Sequence, residues 1–533
     1  MSWNLASSWR SGRPGRPRSR FASLPAIPGW QRCSTWPRRR NTSISFSSTI
    51  SRYADMPKFI GIIPAAGKGM RARPYTQMVP KGMLHLNGRP NLERLICQMR
   101  DDLEIEEIRI VVGYLGEVIK NYFKDGSRLG VRITYIDNHE LDKGLAWSVL
   151  LAGRDLQGPC CVMLSDECYI GSNHRELLNF PYTEGIAACT VMRVDDGRLI
   201  KRNYSVHKDD NRAVRLIEKP KVLLNNLLGL GTFILTPPFF TQLAAAFTQS
   251  PDYVEFVTFL GGFCDTRPGV MCFEMEGTYV NINDRDSLNL ARYYERSRDF
   301  AKTRIGMLLY SEGVEEDIAF TIQRYRQNPA VSSINVVLPH DNVIADQVEA
   351  AGAKTIVCPK EITLYGEKIR YGLDQLREEI FILAEANYAY PEHDINKLLE
   401  YLKEADTVTG TRTTRQLIEQ GSDMRGLVRI ANIALAKLIE LLWWPREIRV
   451  SDVGCTFRAM WRSCYLDIRD QLVSRGPELL AEMTVEIMRD RKRMIEIPVN
   501  YYNCSEAMNR KYRNRKTFFR ILTMLAKKRL ADR

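Results

Sequence analysis

The sequence predicts an α/β protein with two tandem, mostly parallel β-sheets, each flanked by helices. From residue 59 onward, short apolar runs alternate with segments of helical periodicity, which is typical of strands joined by crossover helices. The same alternation starts again at Ile305, after a helical stretch from Ser287 to Arg304. With 533 residues, the chain is also too long for a single hydrophobic core. We therefore expect two α/β units in sequence.

The first unit opens with a buried strand and continues with alternating elements. Short apolar runs between polar turns predict strands covered on both faces, and apolar residues recurring every three or four positions predict helices. In order, we expect strands at 59–63 and 108–112, a helix at 116–123, a strand at 131–136, a helix at 145–152, and strands at 160–164 and 214–217. In open sheets of this kind, ligands bind at the carboxyl ends of the strands.

The composition excludes several classes of protein. Hydrophobic residues make up 44% of the chain and charged residues 26%, which is ordinary for a globular protein. The formal net charge is +13, but ten arginines and one aspartate in residues 1–55 contribute +9 of it. Because the rest of the chain carries only +4, we do not expect a nucleic-acid partner.

Residues 1–55 form an extension rich in Arg, Ser and Pro, without periodic apolar structure, and we expect it to be disordered. Two interpretations stay open. The composition fits an organelle transit peptide, and it also fits an upstream extension that is not part of the working protein. Met56 and Pro57 directly precede the first predicted strand, which favours the second interpretation.

Two further patterns bear on the cellular location. No run of 18 apolar residues is present, so the sequence predicts no transmembrane helix. The 12 cysteines are scattered without a C-x-x-C pair. This spacing indicates a reducing compartment and argues against a disulfide framework or a structural zinc site. We expect a cytoplasmic protein.

The stretch from Gly61 to Lys81 carries the strongest motif. It places a turn of small residues after the first strand, followed by cations, and its notable positions are Ala65, Ala66, Gly67, Lys68, Gly69, Arg71, Arg73, Thr76 and Pro80-Lys81. Glycines in such a turn let backbone N–H groups approach phosphates. The spacing fits neither the common phosphate loop nor G-x-G-x-x-G. The alternative is a plain strand–helix turn with surface cations.

This pattern of glycine turn, Gly-x-Arg, Pro-x-Thr and Pro-Lys closely resembles the opening signature of the sugar-phosphate nucleotidyltransferases. The resemblance implies that Ala65, Ala66, Gly67 and Gly69 bind the nucleotide, and that Arg71 and Lys81 are catalytic.

Further matches lie at Gly144, which resembles the glycine opening the base-contacting helix, and at Gly231, in a strand that closes over the sugar. Glu218 and Lys219, in a Glu-Lys-Pro triplet, resemble the pair that contacts the sugar and its phosphate; Lys219 is the third catalytic candidate. A polar strand end is the alternative for this triplet.

The resemblance also implies a Mg²⁺ or Mn²⁺ cofactor. Asp166 follows a buried strand near the turn, where a carboxylate is suited to hold Mg²⁺; a helix cap is the alternative. The family often supplies a second aspartate near the domain end, but Asn281 and Asn283 are the candidates here. An amide oxygen can ligate Mg²⁺ without contributing charge. The chemistry implied is attack of a sugar 1-phosphate on the α-phosphorus of a nucleoside triphosphate, with release of pyrophosphate.

The second half resembles family 2 glycosyltransferases of the dolichyl-phosphate-mannose-synthase kind, most clearly over residues 380–502. The matching segments contain Ser451-Asp452-Val453, Phe457-Arg458, Arg429 and Asn432. Where that family has two aspartates separated by one residue, this chain has Glu385-Ala386-Asn387, and its early acidic element is Ser311-Glu312. The second-domain candidates are Glu312, Glu385, Asn387, Arg412, Asp452 and Arg458, with Glu385 also a metal ligand. The acceptor implied is a polyprenyl phosphate at a membrane surface.

The resemblances together predict two tandem Rossmann-like, GT-A-like nucleotide-binding domains. We expect the extension at 1–55, a nucleotidyltransferase domain at 56–300, a glycosyltransferase-like domain at 301–513 and a basic helix at 514–533. The leading hypothesis is a bifunctional enzyme that makes a nucleotide sugar and passes the sugar to an acceptor. One alternative keeps the first activity and makes the second domain a binding or regulatory module. Another is a non-catalytic, nucleotide-sensing interaction protein.

The C-terminal run is basic and amphipathic. Its apolar residues Phe518, Phe519, Ile521, Leu522 and Leu525 can share one helical face, with Lys516, Arg520, Lys527, Lys528 and Arg529 around them. An interfacial helix on anionic lipid, which would make the protein peripheral on the membrane, fits this pattern. A helix docked on the core, with a solvated basic face, fits it equally well.

Overall fold

Two β-sheets, one in each half of the chain, organise the computed structural model. The structure describes residues 58–419, 426–444, 449–502 and 515–531. The predictions for residues 1–55 lie outside this part of the chain. The described residues belong to one unit by their contacts, residues 57–533, so the predicted division into domains at residue 300 stays a prediction.

The first half contains thirteen strands and seven helices. The strands are β1 (Ile60–Pro64), β2 (His85–Leu86), β3 (Arg89–Pro90), β4 (Glu107–Val112), β5 (Arg132–Asp137), β6 (Cys160–Met163), β7 (Glu167–Ile170), β8 (Ala187–Arg193), β9 (Tyr204–Asp209), β10 (Arg212–Glu218), β11 (Leu227–Leu235), β12 (Val270–Glu274) and β13 (Thr278–Asn281). The helices are α1 (Asn91–Leu103), α2 (Gly116–Phe123), α3 (Gly144–Gly153), α4 (Gly197–Arg202), α5 (Pro237–Gln249), α6 (Phe256–Gly261) and α7 (Arg285–Asp299).

The first large sheet has nine strands in the order β5-β4-β1-β6-β11-β8-β12-β10-β9. Strands β5, β4, β1 and β6 are parallel, but β11 runs antiparallel to both β6 and β8, and β10 is antiparallel to β9 and β12. The prediction of a mostly parallel sheet is therefore wrong for this half, because the sheet is mixed. Apolar runs show that a strand is buried but not which way it runs. The short connection between β9 and β10 is a hairpin, which can only join antiparallel strands.

The second half contains seven strands and eight helices among the described residues. The strands are β14 (Ile305–Tyr310), β15 (Ser333–Leu338), β16 (Lys354–Val357), β17 (Ile380–Glu385), β18 (Thr407–Thr411), β19 (Arg458–Trp461) and β20 (Met494–Pro498). The helices are α8 (Ile318–Arg326), α9 (Ala345–Ala350), α10 (Tyr365–Gln375), α11 (Asp394–Leu402), α12 (Gly426–Leu442), α13 (Arg462–Ile468), α14 (Leu479–Arg489) and α15 (Arg515–Ala531).

The second sheet has the order β16-β15-β14-β17-β19-β18-β20 and is mostly parallel, as predicted. Only β19 runs antiparallel to its neighbours β17 and β18. The restart of the alternation at Ile305 is confirmed, because β14 begins there and forms a central strand of this sheet. The helix expected to run from Ser287 to Arg304 ends earlier, at Asp299.

Both large sheets are covered by hydrophobic side chains on their two faces. One face of the first sheet packs α1 residues such as Leu95 and Ile96, and the other packs α3 and α5 residues such as Val149 and Phe239. The second sheet is covered in the same way by α8, α10, α11 and α14. This arrangement leaves the ends of the strands as the places where polar groups can collect.

Helix α7 joins the two sheets. Its first turn follows β13 of the first half, and its last turns contact the second sheet. Arg296 is buried and donates to the Ala405 carbonyl (2.7 Å) and to Asp406 Oδ1 (2.5 Å). Its guanidinium lies 5.1 Å from the centre of the Trp461 ring. The helix is thus held at both ends by different halves of the chain.

The C-terminal helix α15 docks on the core of the second half. Ile521, Met524 and Leu525 are buried against α12 and α14. Lys528 is also buried, and its Nζ lies 2.8 Å from carboxylate oxygens of both Glu482 and Glu486. The core-docked alternative is therefore confirmed for this face. No helix in the described ranges is both long and apolar enough to cross a membrane.

Candidate functional site

The glycine turn after β1 is held in place by backbone hydrogen bonds to residues at and just after the end of β4. The backbone N–H of Ala65 donates to the Val111 carbonyl (2.8 Å), and the Ala66 carbonyl accepts from Tyr114 N–H (3.0 Å). Ala65 and Ala66 are buried, whereas Gly67 is exposed at the tip of the turn. The structure therefore leaves the outer part of the turn open to solvent at the carboxyl end of β1.

Gly69 ends this turn in a conformation that favours glycine. Its φ is +58°, in the left-handed region. A Cβ there would lie 3.1 Å from Thr76 Cγ2 and 3.2 Å from Lys81 Cβ, so a larger residue would push on both. The buried Thr76 hydroxyl donates to the Gly69 carbonyl (2.7 Å). Gly69, Thr76 and Lys81 of the motif thus pack as one unit, with Arg71 exposed on the short turn Met70–Ala72.

Lys81, Asp166 and Asn283 converge at the carboxyl end of β6. Lys81 Nζ lies 2.5 Å from Asp166 Oδ2 and 2.8 Å from Asn283 Oδ1. Asn283 reaches this point because β13 pairs with β7 next to Asp166, and the N–H of Ile282 donates to the Asp166 carbonyl (2.7 Å). Lys81 and Asn283, which are 202 positions apart in sequence, are therefore in direct contact.

A second group of candidates lies around Asn203. Its side-chain oxygen accepts from Asn281 Nδ2 (3.2 Å), and its carbonyl accepts from the Lys219 N–H (2.7 Å). Lys219 Nζ lies 2.7 Å from Glu218 Oε1, and this hydrogen bond raises the pKa of Lys219. The Lys219 side chain is 65% exposed, so it can turn toward a ligand.

Gly144 begins α3, as predicted, with φ at +79°. A Cβ at this position would lie 2.7 Å from the Tyr253 ring. Tyr253 is half exposed. The ring of Tyr253 therefore lies beside Gly144, an aromatic neighbour that the sequence patterns did not indicate.

Gly231 faces a carboxylate that the sequence analysis missed. Its N–H donates to Glu167 Oε2 (2.7 Å), and a Cβ would lie 2.6 Å from that carboxyl group. Glu167 also accepts from the hydroxyls of Tyr169 and Tyr279 (2.7 Å for Tyr279). Burial raises its pKa to about 7 despite these hydrogen bonds. A glutamate directly after Asp166, within an otherwise apolar strand, was the available signal.

The network extends inward from Glu167. The Thr232 hydroxyl donates to Tyr169 Oη (3.0 Å) and lies 3.3 Å from His174 Nε2. His174 is completely buried, and burial lowers its pKa to about 3. A neutral imidazole therefore supports the strand that carries Gly231.

The oxygen atoms near Asp166 fit a divalent metal ion. Mg²⁺ prefers hard oxygen ligands and usually keeps few protein contacts beside substrate phosphates. Asp166 and Asn283 supply such oxygens, and the Oδ1 atom of Asn281 is buried without a hydrogen-bond partner among the described residues. In this structure the ammonium of Lys81 contacts these oxygens, Asp166 Oδ2 and Asn283 Oδ1. Groups of three or more His, Cys, Asp or Glu side chains placed to hold a metal are absent from the described ranges.

In the second half, Glu312 and Glu385 lie at the carboxyl ends of β14 and β17, which are adjacent and parallel. Glu385 is buried, and its Oε1 accepts from the Thr456 hydroxyl (3.0 Å). Asn387 Nδ2 lies 3.4 Å from the other Glu385 oxygen. Glu312 accepts from Tyr310 Oη (2.7 Å) and from Lys368 Nζ (3.3 Å). Each of these two strand ends thus carries a carboxylate that already accepts hydrogen bonds from other side chains of the protein.

The remaining second-half candidates are sequestered. Arg412 makes a two-pronged pair with Asp452 (Nε to Oδ2 2.8 Å, Nη2 to Oδ1 2.9 Å), and both are buried. Burial alone would raise the pKa of Asp452, but Arg412 outweighs it and lowers that pKa. Arg458 is fully buried and donates to the carbonyls of Cys455 (2.7 Å) and Leu480 (3.3 Å). The structure thus gives these residues contacts within the protein core.

The fold and the first site together define an α/β protein in which a glycine turn, a lysine and a carboxylate meet at the strand ends. The sequence model of the nucleotidyl transferase family matches residues 60–258, which contain most of this site. The chain is also 33% identical over 179 residues to UTP–glucose-1-phosphate uridylyltransferase AglF of Haloferax volcanii, covering 34% of this chain and 72% of that protein. The chain therefore belongs to the nucleotidyl transferase family and carries an enzyme of this class.

The chain is also similar to another protein sequence and to a solved structure. The bifunctional protein GlmU of Methanococcus maripaludis is 32% identical over 176 residues, which cover 33% of this chain and 39% of GlmU. A crystal structure of UDP-glucose pyrophosphorylase complexed with UDP-glucose is 18% identical, with a TM-score of 0.40, over 45% of this chain and 99% of that chain. The family match ends at residue 258, so the second sheet lies outside it.

Proposed function

We propose that the first half transfers a nucleotidyl group from a nucleoside triphosphate to a sugar 1-phosphate, releasing pyrophosphate. One observation carries the proposal: Lys81 packs against the glycine turn and places its ammonium on Asp166 and Asn283. This arrangement concentrates a cation, metal-type oxygens and the exposed tip of the glycine turn at one edge of the sheet. AglF is named for the transfer from UTP to glucose 1-phosphate, so this is the first substrate pair to test.

The proposed reaction needs no general base, since the attacking phosphate oxygen is already anionic. A bond forms between that oxygen and the α-phosphorus, and the bond to the bridging oxygen breaks, so that pyrophosphate leaves with the electron pair. Catalysis is then mainly alignment and neutralisation of charge. The N–H groups of the turn and Arg71 bind the triphosphate, and Lys81 and Lys219 offset negative charge at the reacting groups.

A Mg²⁺ or Mn²⁺ ion, when bound, would neutralise phosphate oxygens that gain charge in the reaction. Asp166 and the amide oxygens of Asn281 and Asn283 would hold it. The chain's own contribution is to keep these oxygens together, through the pairing of β7 with β13. Removal of divalent ions with EDTA is expected to abolish pyrophosphate release, and added Mg²⁺ to restore it.

The test incubates the purified full chain with each nucleoside triphosphate and a panel of sugar 1-phosphates, and measures pyrophosphate. Release with at least one pair, dependent on both substrates, supports the proposal. Absence of pyrophosphate with every pair would overturn it and favour the nucleotide-sensing alternative, in which both halves bind without reacting.

For the second half we propose glycosyl transfer from the nucleotide sugar to an acceptor such as a polyprenyl phosphate. Its support is the pair of carboxylates, Glu312 and Glu385, at adjacent parallel strand ends. The engagement of Arg412 with Asp452 favours the alternative of a binding or regulatory module. The test incubates the chain with radiolabelled nucleotide sugar and a lipid phosphate. Label in the lipid phase supports glycosyl transfer. Release of pyrophosphate in the first reaction without a labelled lipid product supports a binding or regulatory module.

A further inference from the structure

A cavity of about 780 Å³ lies between α15 and the loop before α14. Its floor and rim include apolar side chains from both sides, Phe519 and Met524 of the helix and Val473 of the loop. The cavity lies in the second half, outside the residues matched by the family. It is also separate from every residue assigned above to nucleotidyl or glycosyl transfer.

The helix wall of the cavity is fixed in place. Ile521 and Leu525 are buried on the opposite side of α15, and Lys528 binds Glu482 and Glu486 as well as the Gln471 carbonyl (2.5 Å). Because these contacts anchor the helix, the face that borders the cavity is presented in a constant orientation. That face contains Lys516, Phe519, Arg520, Thr523 and Lys527, which are spaced three or four residues apart.

Cations dominate this face. Arg520 and Lys527 are exposed and form no hydrogen bond or ion pair with any side chain in the described part of the chain. Arg475 of the loop also lines the cavity, although it already pairs with Glu367. Glu478 is the single acidic residue among the lining side chains. The cavity therefore favours an anion.

Exposed apolar groups surround the same cations. Phe519 is 64% exposed and Val473 66% exposed. Large apolar side chains beside lysines and arginines suit a membrane surface, where the apolar groups enter the acyl boundary and the cations meet the head groups. A small soluble anion would use the cations but would leave Phe519 and Val473 in water.

We propose that this cavity binds the head group of an anionic lipid, with the exposed face of α15 resting on the membrane. Arg520 and Lys527 contact the lipid phosphate, while Phe519 and Val473 insert beside it. Of the five apolar residues expected on one face of this helix, Phe519 borders the cavity, whereas Ile521 and Leu525 pack into the core. The proposal does not depend on nucleotidyl transfer, whose residues lie in the first half.

The test is co-sedimentation of the full chain with vesicles of phosphatidylcholine alone or of phosphatidylcholine mixed with phosphatidylserine. The double variant Arg520→Glu with Lys527→Glu is expected to bind the anionic vesicles at least ~10-fold more weakly, since each substitution replaces attraction to the anionic head groups by repulsion. The matched control, Lys360→Glu with Arg377→Glu, makes the same change of charge at two other exposed positions. It is expected to bind within about twofold of the unchanged protein.

Three results would overturn the proposal: equal binding to neutral and anionic vesicles, equal loss in both double variants, or full competition by inorganic phosphate, which would indicate a site for small anions. A separate variant, Phe519→Ser, tests the apolar contribution and is expected to weaken vesicle binding without changing its dependence on phosphatidylserine. Thermal unfolding midpoints of all variants show whether each is folded, so a loss of binding cannot be mistaken for a loss of structure.

Discussion

Lys81 is the residue on which the first site depends most. Its ammonium lies within 2.8 Å of oxygens from Asp166 and Asn283, two residues that arrive from different strands. A lysine in this position keeps negative oxygens together before substrate binds, and it can offset phosphate charge afterwards. This dual contact makes its removal more costly than the loss of a surface cation.

Lys81→Ala is expected to lower the rate of pyrophosphate release by at least ~10²-fold, the scale of losing one preorganised electrostatic contact. Lys58→Ala serves as the control, because Lys58 forms an exposed ion pair with Glu106 and its side chain is 76% exposed. The rates of both variants are measured at saturating substrates. Turnover of Lys81→Ala close to that of the unchanged protein would contradict the assignment of the site.

His174 predicts a pH dependence of stability. Burial holds its pKa at about 3, below the ordinary value near 6.5. As the pH falls below 6.5, His174 therefore takes up a proton in the unfolded chain but stays neutral in the folded chain. This group costs the folded state about 1.4 kcal/mol per pH unit in that range, or about 2 kcal/mol between pH 6.5 and 5.

His174→Gln is expected to remove this part of the pH dependence. The measurement is the free energy of unfolding in urea at pH 7, 6 and 5, compared as a slope. His139→Gln is the control, since His139 is exposed, and its slope should equal that of the unchanged protein. A slope for His174→Gln as steep as that of the control would show that His174 is not the source.

At the scale of elements, α7 begins directly at the site. Asp284 Oδ1 accepts from the Ser287 N–H (2.9 Å), and the Ser287 hydroxyl accepts from the N–H groups of Asn283 and Asp284 (2.9 Å each). This reciprocal cap satisfies backbone donors that the first turn of a helix leaves open. It also holds the backbone of Asn283, whose side chain contacts Lys81.

Asp284→Ala is expected to cost about 1 kcal/mol of stability, the usual value of such a cap, and to weaken binding of Mn²⁺ in the presence of the nucleotide. Asp286→Ala, in the same helical turn but exposed, is the control and should change stability by a few tenths of a kcal/mol. The readouts are urea unfolding and Mn²⁺ titration by electron paramagnetic resonance. Equal Mn²⁺ affinity in both variants would mean that the cap does not position Asn283.

At the scale of the whole molecule, a mostly buried ion pair links α7 to the second half of the chain. Arg296 of α7 bonds Asp406, whose other carboxylate oxygen accepts from the Arg493 N–H (2.8 Å). Burial alone would raise the pKa of Asp406, but Arg296 and Arg292 outweigh it and lower that pKa. The pair therefore consists of two charged groups away from water.

Arg296→Ala is expected to destabilise the protein by about 3 kcal/mol or more, because it leaves Asp406, whose side chain is only 13% exposed, without its main partner. Arg298→Ala on the same helix removes a half-exposed pair with Asp299 and a longer contact with Glu295 (3.4 Å), and should cost less than about 1 kcal/mol. A double-mutant cycle with Asp406→Ala isolates the coupling. A coupling energy near zero would show that the link between the halves does not depend on this pair.

The sequence by itself determined the α/β class, the glycine turn after the first strand and the start of the second sheet at Ile305. It also pointed to Lys81, Asp166 and Asn283, each from its own motif. The class, the turn and the start of the second sheet follow from local patterns of apolar runs, turn residues and spacing within a few positions, whereas Lys81 and Asn283 were indicated by the resemblance to the sugar-phosphate nucleotidyltransferases. The helix from Gly116 to Phe123 was predicted at its observed bounds from such local patterns.

Only the tertiary structure decided the direction of β11, the contact of Lys81 with Asn283, the carboxylate that faces Gly231, the enclosure of Asp452 by Arg412 and the face of α15 that packs into the core. Each of these depends on residues far apart along the chain. A local pattern records that a side chain is apolar or charged, but its partner is set by the way the sheets and helices pack. Contacts between residues that are distant in the sequence therefore could not be predicted from local patterns.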